Sequence, residues 1–109
     1  MFYKKNHIGL TKYLIGGLIV FGIAELLKIV TGRTRPDLSD DASFPSRHTA
    51  LGFFAASFLP IDKKFKILLY VWAILIALSR LALNLHWFTD VIAGLLIGLA
   101  FGFLIEKIN

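Results

Sequence analysis

Apolar residues along this chain are gathered into four blocks separated by polar stretches. The pattern predicts helices over about 13–30, 47–60, 65–83 and 87–106. At the rise of an α-helix, eighteen residues reach ~27 Å, enough to cross a hydrocarbon core. The second block is shorter. From Ser46 to Pro60 it reaches only ~22 Å, so it starts below the membrane surface, stands with little tilt, or re-enters without crossing. The expected fold class is all-α, an integral membrane bundle of about four transmembrane helices forming a single domain over 1–109.

Composition supports the bilayer as solvent. Hydrophobic residues make up 57% of the chain and the mean hydropathy is +0.73. The small core of a soluble domain of this size could not hide that much apolar surface. The formal charge is +5, but the basic residues sit at the ends of apolar runs, which is a membrane pattern and not a nucleic-acid footprint. There is no cysteine, which excludes disulfides and cysteine metal sites. The first block has the basic start of a signal peptide, yet no small-x-small cleavage site follows it, so it is expected to be retained.

The polar connections differ in character. Asp62-Lys63-Lys64-Phe65-Lys66 is a tight basic turn between blocks two and three. The stretch 31–47 between blocks one and two is long and carries Arg33, Arg35, Asp37, Asp40 and Asp41. Blocks three and four are joined by Asn84-Leu85-His86. With four crossings, Lys4, Lys5, Lys12, Lys63, Lys64, Lys66 and Lys107 share one side. By the positive-inside rule that side is cytoplasmic, together with both termini, in a plasma membrane whose outer face carries the first and third connections.

Lys28 and Arg80 lie inside apolar blocks near their outer ends, where an ionisable side chain is costly. Either one alone could snorkel to the headgroups. They converge, however, with Arg35, Arg47, His48, His86 and Asp90 on one end of the bundle, and such a cationic cluster suits an anionic group such as phosphate. Ser46, after Pro45, is placed to cap the second helix, whose N-terminus would face the same anion, although an ordinary cap needs no ligand. His86 and Asp90 are spaced as neighbours on one helical face, so the carboxylate could hold one imidazole nitrogen and aim the other at substrate. A plain structural hydrogen bond has the same spacing.

These residues carry a resemblance. Lys28 followed after six residues by Arg35-Pro36 resembles the first motif of the type 2 phosphatidic acid phosphatase (PAP2) family, KxxxxxxRP. Pro45-Ser46-Arg47-His48 resembles the second, PSGH, and Ser79-Arg80 with His86 and Asp90 resembles the third, SRxxxxxHxxxD. The resemblance implies a metal-independent membrane phosphatase without cofactor, acting on a lipid phosphate or diphosphate of the undecaprenyl diphosphate, phosphatidylglycerol phosphate or phosphatidic acid type. It implies that Lys28, Arg35, Ser46, Arg47 and Arg80 bind the phosphate. His86 would be the nucleophile that becomes phosphorylated, Asp90 its orienter, and His48 the acid and then the base. Fixed cations and two imidazoles can supply what phosphoryl transfer requires.

Two departures stand out. Arg47 replaces the motif's glycine, and bacterial relatives commonly have six helices where this chain shows four. Arg47 could meet a second phosphate of a diphosphate head, or pair with Asp40 or Asp41 at the surface. Gly94, Gly98 and Gly102 form a small-residue stripe that either packs inside the chain or allows a homo-oligomer. A catalytically silent lipid-phosphate or anion-binding protein of the same fold is the alternative, although it would not need His48, His86 and Asp90 together.

Overall fold

A computed structural model describes the backbone of residues 2–41 and 43–107 and the side chains of 9–41 and 43–107. Lys4 and Lys5 of the expected inner face therefore have side chains outside the described residues. Among the described residues four helices follow in chain order: α1 (Phe2–Thr31), α2 (Arg47–Phe58), α3 (Lys63–Ala82) and α4 (Phe88–Glu106). The first begins well before residue 13, because nothing in the basic start breaks a helix. The second stops at Phe58 and not at 60: Leu59 is extended, as expected of a residue before proline. The third starts after Asp62.

Among the described residues, three helices are long and apolar enough to cross a membrane, at Gly9–Thr31, Lys63–Ala82 and Phe88–Glu106. Their outward faces carry Leu14, Leu18, Ile29, Leu68, Leu75, Leu96 and Leu104, each more than half exposed. In water such a surface would drive aggregation, whereas acyl chains solvate it at no cost. The chain is a membrane protein.

Helix α2 is different. It has 12 residues, ~18 Å at the helical rise, and most of its side chains are buried. It forms the axis of the bundle. Gly94, Gly98 and Gly102 of α4 face it so closely that a Cβ at Gly98 would run into the Ala50 carbonyl and the Phe54 amide, and one at Gly102 into Ser57 Oγ. The glycine stripe is thus packed against α2 within the chain. Tyr13 stacks on Phe54 at 5.5 Å between ring centroids, and Val20, Phe58 and Ile105 complete the core. Lys66 compensates for the shortness of α2. Its ammonium donates to the carbonyls of Ser57 (3.0 Å) and Leu59 (2.8 Å), which the helix end leaves without intrahelical partners.

The helices alternate in direction. α1 and α3 end, and α2 and α4 begin, at one end of the bundle, where the backbone N–H of Ser46 donates to the Asp90 carbonyl at 3.0 Å. At the other end Lys12 Nζ donates to the Glu106 carbonyl at 3.0 Å.

Candidate active site

At the end where α2 and α4 begin, a cavity of about 230 Å³ is lined by Lys28, Arg35, Ser39, Asp40, Arg47, His48, Arg80, Leu85 and His86. Helices α1, α2 and α3 contribute through their termini. The last turn of α1 gives Lys28 and the last turn of α3 gives Arg80, both cations favoured there by the negative end of the helix dipole. The first residues of α2, Arg47 and His48, enter from the opposite polarity, where backbone N–H groups attract anions. The connections 32–46 and 83–87 bring Arg35 and His86.

The polar partners set the geometry. Lys28 is buried and its Nζ donates to the Pro45 carbonyl at 2.5 Å. Arg35 donates through Nε to Asp40 Oδ1 at 2.7 Å and through Nη1 to the Leu85 carbonyl at 3.0 Å, and the same Nη1 lies 3.3 Å from His86 Nε2. Ser39 and Asp40 also line the cavity. The loop that carries them is tied to the α3–α4 connection where Asp37 N–H donates to the Asn84 carbonyl at 3.1 Å.

His86 is buried, with Nδ1 2.7 Å from the Ser43 carbonyl. A carbonyl only accepts, so Nδ1 carries the hydrogen, and in the neutral ring Nε2 is the unprotonated nitrogen, its lone pair facing Arg35 Nη1 on the cavity wall. Burial is the main cause that lowers the His86 pKa to about 4. Arg35 and Lys28 push the same way, and the Ser43 carbonyl and Asp90 oppose them. The ring is therefore an uncharged base across the neutral range.

Asp90 does not bond directly to His86. Its Oδ2 stands 3.7 Å from Nδ1. That oxygen instead accepts from the Ser43 hydroxyl and from the Trp87 N–H, the latter at 2.7 Å, while Oδ1 accepts from Arg33 Nη1 at 3.2 Å. Ser46 also departs from its expected place. It is fully buried behind the cavity wall, its Oγ accepting from the Thr49 N–H at 3.3 Å and donating to Thr49 Oγ1 at 2.8 Å. It is the α2 cap and does not line the cavity. Arg47 does line it, but its Nη1 is paired with Glu25 Oε1 at 2.6 Å, not with Asp40 or Asp41.

Of the expected residues, then, Lys28, Arg35, Arg47, His48, Arg80 and His86 come together, with Ser46 and Asp90 just behind them. Ser43, Arg33 and Glu25 take part although the motifs give them no role. Glu25 alone gave a signal, a carboxylate inside an apolar block one turn before Lys28.

The sequence model of the PAP2 superfamily matches residues 9–108. Phosphatidylglycerophosphatase B of Bacillus subtilis is 33% identical over 96% of this chain and 60% of its own length. The lipid A 1-phosphatase of Rhizobium johnstonii is 33% identical over 84% of this chain and 45% of its own. That of Porphyromonas gingivalis is 32% identical over 82% of this chain and 20% of its own. The chain thus spans at most 60% of the length of these relatives. No solved structure matches it.

Proposed function

Because this chain belongs to the PAP2 superfamily, we propose that it is a membrane phosphatase hydrolysing a lipid phosphate or diphosphate through a phosphohistidine. The observation that carries this reading is the unprotonated Nε2 of His86, 3.3 Å from Arg35 Nη1, at a cavity lined by Lys28, Arg35, Arg47 and Arg80, with His48 beside it. A phosphate in that cavity would meet fixed positive charge on several sides, which is most of what its transfer needs.

The steps follow from these positions. His86 Nε2 attacks phosphorus in line, and the bond from phosphorus to the leaving oxygen breaks with its electrons on that oxygen. His48, protonated, gives it a proton. A water that then loses its proton to His48 attacks the phosphohistidine, the N–P bond breaks, and inorganic phosphate leaves with His86 neutral again. The leaving group is a lipid alcohol for a monophosphate and a lipid monophosphate for a diphosphate.

The names of the relatives, phosphatidylglycerophosphatase and lipid A 1-phosphatase, support a membrane lipid as substrate. Its tail would remain in the bilayer while its head enters the cavity. The lysines Lys12, Lys63, Lys64 and Lys107 stand at the end of the bundle away from the cavity, so the site would face outward and the termini inward.

The test is phosphate release by the purified chain in detergent. The panel holds phosphatidylglycerol phosphate, lipid A phosphate, phosphatidic acid and undecaprenyl diphosphate, each with and without EDTA. Release from at least one lipid, unchanged by the chelator, is expected. A folded protein that releases phosphate from none of them overturns the reading.

A further inference from the structure

We propose that Ser43 is the positioning residue of the nucleophile, its carbonyl fixing the His86 ring while its hydroxyl holds the Asp90 carboxylate away from that ring. The importance of this for turnover rests on the function proposed above, but the arrangement itself does not.

Ser43 is fully buried and every polar group it has is engaged. Its N–H donates to the Arg33 carbonyl at 2.9 Å, its carbonyl accepts from His86 Nδ1, and its hydroxyl donates to Asp90 Oδ2. Asp90 is equally committed, to Arg33, Ser43 and the Trp87 N–H. It ties the connection 32–46 to the start of α4, and its Oδ2 stands 3.7 Å from His86 Nδ1, beyond hydrogen-bond distance.

The distinction has chemical consequences. A carboxylate on Nδ1–H stabilises the imidazolium, whereas a neutral carbonyl fixes the same tautomer with far less pull on the proton. A nucleophile must keep its Nε2 lone pair free, so the neutral acceptor suits attack on phosphorus. The charged and titratable groups that face this ring or its cavity are Lys28 from α1, Arg35 and Asp40 from the connection, Arg47 and His48 from α2, Arg80 from α3 and Asp90 from α4. Asp90 is the anion nearest Nδ1, and only a short movement separates it from contact. Removing the Ser43 hydroxyl frees Oδ2 from one of its two holders and lets it turn onto Nδ1.

The experiment is ¹⁵N NMR of the full chain labelled at histidine in lipid bilayers. The chain has 3 histidines, and His7→Gln and His48→Gln assign the signals. In the wild type His86 should be protonated at Nδ1 and bare at Nε2 at neutral pH. In Ser43→Ala its titration midpoint should rise by at least one pH unit. Arg33→Gln, which removes the cation paired with Asp90 Oδ1, should raise it in the same direction by less and decides the matter if Ser43→Ala does not fold. Where lipid phosphate is turned over, Ser43→Ala should lower kcat roughly 10- to 100-fold and move KM less than about threefold. An unmoved midpoint and tautomer in the folded variants overturns the proposal and makes Ser43 a packing residue. Because the NMR readout needs no turnover, that failure is distinct from a failure of the proposed activity.

Discussion

Arg47, at the start of α2, meets Glu25 of α1 at 2.6 Å between Nη1 and Oε1. Its guanidinium also lies 5.2 Å from the ring centroid of Phe21. Arg47 lines the cavity, and Glu25 belongs to the membrane-spanning part of α1. Both side chains are 37% exposed, so the pair itself contributes little to stability, about 0–1 kcal/mol. Its interest is orientation, since Glu25 holds one nitrogen of the fork and leaves others for a ligand.

Arg47 is therefore expected to act on substrate choice. Lys28, Arg35 and Arg80 can serve the transferred phosphate, and a second phosphate on the leaving-group side would reach Arg47. The comparison is kcat/KM for a diphosphate and a monophosphate lipid, in wild type and in Arg47→Gly. The variant should lose ~1–3 kcal/mol more on the diphosphate, the range for a hydrogen bond to a charged group. Equal losses on both head types would make Arg47 an α1–α2 tie with no part in specificity.

The pH response follows from His86. Its pKa is lowered to about 4 in the folded protein, so the neutral, nucleophilic ring persists well below neutrality and is lost as pH falls through that value. Loss of the nucleophile should therefore not limit activity per folded molecule on the acid side until about pH 5, below which activity should drop. Stability has the same sign. Between the ordinary histidine value of about 6.5 and about 4 the unfolded chain binds the proton and the folded chain does not. The contribution of the buried neutral ring is present above the upper value and declines as pH falls across that window. Unfolding of wild type and His86→Ala between pH 7 and 4 measures it, and parallel curves would contradict it.

The contact between α2 and α4 sets a stability prediction. A methyl group at Gly98 meets backbone atoms of Ala50 and Phe54, which cannot turn aside. Gly98→Ala should cost at least ~1–3 kcal/mol through overpacking. Gly22→Ala, where nothing lies within 4 Å, should be neutral or slightly stabilising because alanine favours the helix. Denaturant unfolding in detergent separates the two, and a harmless Gly98→Ala would mean that the helices are not this close.

The direction of insertion is checked by labelling. Cysteines placed at Lys64 and at Asp40 should react with an impermeant reagent from opposite sides of the membrane, Asp40 from outside. Reaction from one side only would show that α2 returns without crossing.

The sequence made the helices and the cationic cluster legible because the relevant physics is local. Long apolar runs need the bilayer, and charges inside them are too costly to be accidental. His86 and Asp90 show where local reading stops. Their spacing places them on one face only if both are helical, but α4 begins at Phe88, so His86 lies before the helix and its ring turns to Ser43. Asp90, in the first turn, accepts the Trp87 N–H as a helix-capping carboxylate does. Ser46 was rightly read as a cap, and for that reason its hydroxyl is not open to a ligand. The partners Ser43, Arg33 and Glu25 are chosen by how the loop folds over the helix ends, and no spacing along the chain encodes that.

The central claim, that His86 carries the phosphate during turnover, is tested most directly by trapping. The purified protein is mixed with a lipid substrate labelled with ³²P in its terminal phosphate, quenched with alkali within the first turnover, and assayed for acid-labile, alkali-stable label on the chain. The account predicts label at His86, none in His86→Ala, and accumulation in His48→Ala, where the intermediate forms slowly but is not hydrolysed. Wild-type turnover with no label on the protein, or label that survives His86→Ala, would contradict it.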